Sequence, residues 1–152
     1  MNMHNSALLL SLLVVAGTFT FNVTDADAQS RARSRSLTSD GQGNLERSRH
    51  AKVAGVNGGS VQSQASYYRN ADGSARRQGS SSVRTAAGAT ASTHGGFTRN
   101  ADGTFSGSRG TSATGVNGNS YNGSTTYSNG SVSHTSTCTN AAGEIISCPR
   151  GR

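Results

Sequence analysis

The 152-residue chain carries 14 Lys or Arg against 7 Asp or Glu, a formal net charge of +7, with four Tyr, four Phe and no Trp. From Gln29 onward Ser, Gly, Thr and Asn supply 64 of 124 residues, large apolar side chains number only 16, and all 14 cations face only five acids. So lean a composition lies near low complexity and argues against an enzyme built round a dry side-chain core. Order in such a chain has to come from backbone pairing, cross-links and neighbouring surfaces, the alternative being a partly disordered monomer.

Residues 1–28 read as an export signal. Ala7-Leu8-Leu9-Leu10-Ser11-Leu12-Leu13-Val14-Val15-Ala16 has the length of a signal-peptide apolar region, and Ala26-Asp27-Ala28 supplies the small residues of a cleavage site before Gln29. The run falls short of the roughly 20 residues of a membrane-spanning helix. The segment before it, Met1 to Asn5, has no Lys or Arg, and an uncleaved anchor is the competing reading. The expected location is therefore secreted (periplasm, cell surface or extracellular), with no integral membrane span after cleavage.

Residues 29–52 are expected as a flexible basic arm. Arg31, Arg33 and Arg35 alternate with small residues, Ser39-Asp40-Gly41-Gln42-Gly43-Asn44 is turn-like, and Arg47, Arg49, His50 and Lys52 form a second cationic cluster.

Residues 53–137 repeat. Arg69-Asn70-Ala71-Asp72-Gly73 returns as Arg99-Asn100-Ala101-Asp102-Gly103, 30 positions later, and Gly55-Val56-Asn57-Gly58 returns as Gly115-Val116-Asn117-Gly118, 60 positions later. Gly88 lies midway between Gly58 and Gly118, and Tyr67, Phe97 and Tyr127 are also 30 apart. Internal periodicity of this kind marks a repeat architecture. Each Asn-Ala-Asp-Gly has the residues of a type I turn closed by a glycine at positive φ. Asn57-Gly58, Asn117-Gly118 and Asn129-Gly130 are dipeptides that favour two-residue hairpin turns. Turns fall almost every 15 residues, between Pro-free segments rich in Ser, Thr, Val and Tyr. Tyr121, Gly123, Thr125 and Tyr127 alternate with Asn122, Ser124 and Thr126, which is strand periodicity. The expected fold is all-β: an antiparallel hairpin meander of about eight short strands in 30-residue repeats, with ordering on assembly as one route.

In residues 138–152, Cys138 and Cys148 flank the turn centre Asn140-Ala141-Ala142-Gly143. In an oxidising compartment they are expected to pair as a disulfide closing a C-terminal hairpin. A metal pair completed by His134 is the alternative, with few further ligands to support it.

Catalytic constellations are scarce. Ser is too abundant for its nearness to His50, His94 or His134 to carry information, and no phosphate-cradling Gly-x-x-x-x-Gly-Lys segment occurs. Asp72 and Asp102 hold equivalent turn positions, which accounts for both without acid–base work. No catalytic, cofactor-binding or metal residue and no small-molecule substrate is assigned. The arginines are the stronger candidates: Arg31, Arg33, Arg35, Arg69 and Arg99 as polyanion contacts, with Tyr67-Tyr68-Arg69 and Phe97-Thr98-Arg99 interleaving aromatic and cation. The competing reading is that they keep sheet faces soluble and edges unpaired. Thr135, Thr137 and Thr139 form a short hydroxyl ladder on one strand, an arrangement also found on ice-binding surfaces.

With the leader, the Asn-Ala-Asp-Gly and Gly-Val-Asn-Gly units and the terminal Cys-x9-Cys hairpin, the chain resembles small exported Gly/Ser/Thr/Asn-rich repeat proteins of Gram-negative bacteria. It is also faintly similar to secreted fibre-forming repeat subunits such as curlins. The resemblance implies an envelope or extracellular location and no catalytic residues. Two functions follow as expectations. One is a non-enzymatic structural subunit that self-associates through strand pairing into a cell-surface fibre or matrix. The other is a cationic module that coats an anionic polymer or glycan, whether polysaccharide, lipid A or extracellular DNA.

Overall fold

The computed structural model describes residues 28–148. Residues 1–27, which hold all but the last residue of the expected export signal, and the tail 149–152 lie outside the described residues.

The described chain is one nine-stranded antiparallel sheet in which every strand pairs only with its sequence neighbours. The strands are β1 (Ala28–Ser39), β2 (Leu45–Gly55), β3 (Ser60–Arg69), β4 (Ala75–Arg84), β5 (Thr90–Arg99), β6 (Phe105–Thr114), β7 (Ser120–Ser128), β8 (Ser131–Thr139) and β9 (Ile145–Ile146). The expected all-β meander is what forms, with nine strands rather than eight. No second layer covers either face among the described residues, because each strand has too few large apolar side chains to hold one. Among the described residues only Cys138, 3% exposed, is buried.

The turns explain this topology. Six glycines at positive φ recur at a fixed interval of 15: Gly43, Gly58, Gly73, Gly88, Gly103 and Gly118. From the second onward each closes the same loop. In the third loop the Asn70 N–H donates to the Ser74 carbonyl at 2.9 Å and the Gly73 N–H to the Asn70 carbonyl at 3.0 Å. This is a type I turn with its third residue in the left-handed region, as read from the Asn-Ala-Asp-Gly units. A loop this short can only return the chain beside the strand it has just left.

Two expectations are corrected. Residues 29–52 are not a flexible arm: they form β1 and β2, paired in continuous register from Ser30↔Ala54 to Ser39↔Leu45. Gly43 falls on the same 15-residue interval as the later turn glycines, so the repeat extends upstream of residue 53. Arginine alternating with Ser and Ala gave these segments the look of a solvated arm, but it is equally a strand with polar faces. Asn57-Gly58 and Asn117-Gly118 are not two-residue turns either. Gly55 N–H bonds the Gly59 carbonyl at 2.8 Å and Gly115 N–H the Asn119 carbonyl at 2.8 Å, which makes both the three-residue loop. Their Asn residues have ordinary φ. Only Asn129 (φ 42°) and Gly130 (φ 86°) both adopt positive φ, joining Ser128 to Ser131 in a true two-residue turn.

At the C-terminal end, Cys138 and Cys148 are joined as a disulfide with Cα atoms 5.2 Å apart, so both thiols are used. The bond ties β9 and the chain beyond it to β8, and Asn140 and Gly143 form the loop between. Such a bond is compatible with an oxidising compartment. No helix among the described residues is long and apolar enough to cross a membrane.

Candidate functional site

The three-residue loop has a consequence for the faces. It pairs residues whose numbers sum to an even value, as in Val61↔Val83 and Val83↔Ala91. Residues directly opposite share a face, so odd-numbered residues remain on one face from β1 to β7. The two-residue turn at Asn129-Gly130 pairs Tyr127 with Val132 and swaps the parity in β8.

On that odd face, cross-strand rows can be followed through the register. One row runs Arg31, Val53, Val61, Val83, Ala91, Ala113, Tyr121, Cys138 and Ile146. It is the nearest thing to a core, and it ends at the disulfide. Nearer the opposite end of the strands runs Leu37, Arg47, Tyr67, Arg77, Phe97, Gly107, Tyr127 and Val132. Cation and ring alternate from β2 to β5, and the rings recur on every second strand, about 10 Å apart at the usual strand spacing. The rings stay accessible: Tyr67 is 36% and Phe97 41% exposed. Phe97 also meets Phe105, with centroids 6.0 Å apart.

All five arginines singled out from sequence stand on this face. Arg31, Arg33 and Arg35 lie along β1, Arg69 pairs with Leu45 and Ala75, and Arg99 pairs with Ala75 and Phe105. Four more join them: Arg47, Arg49, Arg77 and Arg109. Arg35 lies directly opposite Arg49. Among the described residues no Asp or Glu shares this arginine face, since Glu46 is on the other side and the remaining acids sit at or beside the turns. The sequence carried the signal that groups these four with the first five as parity: every arginine of this face has an odd number, whereas Arg76 and Arg84 are even and point away.

A hollow of about 370 Å³ opens on the arginine face, lined by Arg47, Arg49, Ala65, Tyr67 and Arg77, with Ser48 and Ser66 completing it. Three cations and a ring converge there because Ala65, paired with Arg49 and Gly79, leaves a floor of small residues between them. Further along, Arg109 donates through Nε to Thr93 Oγ1 at 3.1 Å.

The opposite face is rich in hydroxyls. Thr135, Thr137 and Thr139 lie there, opposite Ser124, Asn122 and Ser120, and the Ser120 and Thr139 hydroxyls are 2.6 Å apart. Its larger trough, about 890 Å³, is lined mostly by Ser, Gly and Gln. His50 and His94 both reach it but stand three strand spacings apart, about 14 Å, so nothing converges.

The turn residues act as structure. Asp72 accepts from the Ser74 N–H at 2.8 Å, and Asp102 from the Thr104 N–H at 2.9 Å and the Thr104 hydroxyl at 2.6 Å. Asp40 accepts from the Gln42 N–H at 2.8 Å and from the Asn44 side-chain amide at 2.5 Å. These hydrogen bonds, first of all those from the side chains of Asn44, Ser74 and Thr104, hold the three carboxyls below the ordinary aspartate range. Asn44 Oδ1 also accepts from the Ala71 N–H at 2.8 Å and links two successive turns at one end of the sheet.

The fold and these surfaces define the described residues as a single-layer β-meander repeat with one cationic, ring-bearing face and two open edges. No protein-family model, curated protein or solved structure matches the chain.

Proposed function

We propose that this protein is an exported, non-enzymatic structural subunit that joins edge to edge into a fibre or matrix at the cell surface. The observation that carries the proposal is the pair of open edges. Among the described residues, one is β1, unpaired along its outer side, and the other is β8, which β9 covers only at Cys138 and Thr139. Counting the antiparallel alternation from the Gly55–Gly59 pair, the residues of β1 that aim N–H and C=O outward are Arg31, Arg33, Arg35 and Leu37. Counting from the Asn140–Glu144 pair, those of β8 are Val132, His134 and Ser136. Both sets lie on the arginine face. A second copy can therefore add its β1 antiparallel to β8 with that face continuous, and the contact repeats without closing.

Charge favours this pairing over the symmetric one. Joining β1 to β1 sets arginine against arginine across strands, which is unfavourable, whereas β8 offers Val, His and Ser. The three arginines thus block one self-pairing while allowing the head-to-tail one. Export is supported by the apolar leader in the sequence and by the disulfide. The chain's likeness in composition to exported repeat proteins, and more faintly to fibre-forming subunits, points the same way.

The test is negative-stain microscopy and diffraction of the oxidised protein with Ser136→Pro beside it. Filaments with a strand spacing of 4.7–4.9 Å along their axis are expected for the unaltered chain. Proline at 136 removes an outward N–H without touching the β7–β8 ladder, so that variant should keep its β-type circular dichroism and form no filaments. Discrete dimers in place of filaments, or filaments unaffected by Ser136→Pro, would refute the proposal.

A further inference from the structure

The structure assigns a second property to the arginine face, independent of its edges: we infer that the hollow walled by Arg47, Arg49, Arg77 and Tyr67 binds single-stranded nucleic acid, phosphates on the guanidiniums and a base on the Tyr67 ring. Three features of the hollow converge on that ligand. Its cations are all arginine, whose planar forks suit the paired oxygens of a phosphodiester. They have no carboxylate on their face, and Arg49 also faces Arg35 directly, so the cluster gains most from an anion supplied from outside. Tyr67 stands between Arg47 and Arg77 in its row with about a third of its surface exposed, which leaves a ring for a base to stack on.

The repeat extends the site into a track. Thirty positions on, Phe97 takes the place of Tyr67 and Arg77 becomes the preceding cation, so ring and cation alternate across β2 to β5. A flexible strand laid across the sheet meets a cation or a ring at each strand, about 4.8 Å apart. A duplex cannot use the rings, because its bases are already stacked on one another. An acidic polysaccharide satisfies the arginines but has no planar base for the rings, so its binding should not depend on them in the same way.

The experiment titrates the oxidised protein into fluorescein-labelled oligothymidylate, with duplex DNA and polygalacturonate as rival probes, and repeats each titration at several salt concentrations. Three arginines predict a slope of log K against log salt of about −2 for the single strand, and Arg49→Gln or Arg77→Gln should each reduce it by about 0.7. Tyr67→Ala should weaken oligothymidylate binding roughly tenfold or more, and Tyr67→Phe should restore it. Arg84→Gln, on the other face, should change nothing. Polygalacturonate binding as tight as oligothymidylate and indifferent to Tyr67→Ala would overturn the inference in favour of an acidic glycan. Equal affinity for duplex, or equal losses from Arg84→Gln and Arg49→Gln, would overturn it in favour of diffuse charge. Running the series in the Ser136→Pro background separates it from assembly: binding there is expected intact whether or not filaments form.

Discussion

Replacing Gly103 by valine isolates the backbone term on which the meander depends. Gly103 has φ +85°, and a Cβ built there meets no heavy atom within 4 Å, so the first side-chain carbon has no steric cost from neighbours. What remains is the left-handed conformation, which costs an ordinary residue about 1–2 kcal/mol and a β-branched one more. A loss of about 2 kcal/mol is expected. In a repeat sheet the damage concentrates on the hairpin concerned, here β5–β6, whose closing bonds are Asn100 N–H to Thr104 carbonyl and Gly103 N–H to Asn100 carbonyl. Native-state hydrogen exchange reads it directly: the Asn100 amide should exchange about 30-fold faster, the equivalent of 2 kcal/mol. The Asn70 amide, 30 residues upstream, should be unaffected. Gly103→Asn should cost less than half as much, since Asn tolerates positive φ. Unchanged protection at Asn100 in the valine variant, or equal damage from Asn and Val, would refute the reasoning.

Further outcomes follow from the same geometry. Gly107→Ala should destabilise by about 1–3 kcal/mol for the opposite reason, crowding, because its Cβ would lie 2.6 Å from the Gly96 carbonyl oxygen; urea denaturation followed by circular dichroism checks this. Replacing Cys138 and Cys148 together by Ser should cost about 2–3 kcal/mol for so short a closed loop, and the unaltered protein, purified without reductant, should not react with iodoacetamide until reduced. The hydrogen bonds from Asn44, Ser74 and Thr104 hold the folded carboxyls of Asp40, Asp72 and Asp102 below the ordinary aspartate value of about 3.9. Their contribution is therefore present above that value and lost as pH falls through the lower folded ones. Thermal midpoints should be level from neutral pH down to about 4 and then fall. Changing all three to Asn should flatten that acid limb; an unchanged limb would show that the turn carboxylates do not cause it.

Much of the architecture was legible because it is local. Asn-Ala-Asp-Gly encodes its own loop, and a loop of that length leaves the chain no neighbour but the preceding strand. What sequence reasoning missed was also physical. Asn-Gly favours a two-residue turn, yet at Asn57 and Asn117 the spacing to the paired strands left three loop positions, and only glycine took positive φ. Arg31, Arg33 and Arg35 were read as an arm because charge suggests solvation. A strand in a one-layer sheet is solvated on both faces, so charge there does not oppose pairing. The convergence of Arg47, Arg49, Arg77 and Tyr67 required the register across three strands. Parity could have supplied it once the loop length was known, since three-residue loops keep odd residues with odd.

The most direct test of edge-to-edge assembly is hydrogen exchange at the outward amides of Arg33 and His134, measured in dilute protein and again in the assembled state. Both amides should exchange freely when dilute and become protected together on assembly, while the Lys52 amide, which points to β1 within the sheet, is protected throughout. Protection of Arg33 and His134 already in the dilute molecule, or free exchange of both inside the assembly, would contradict the account.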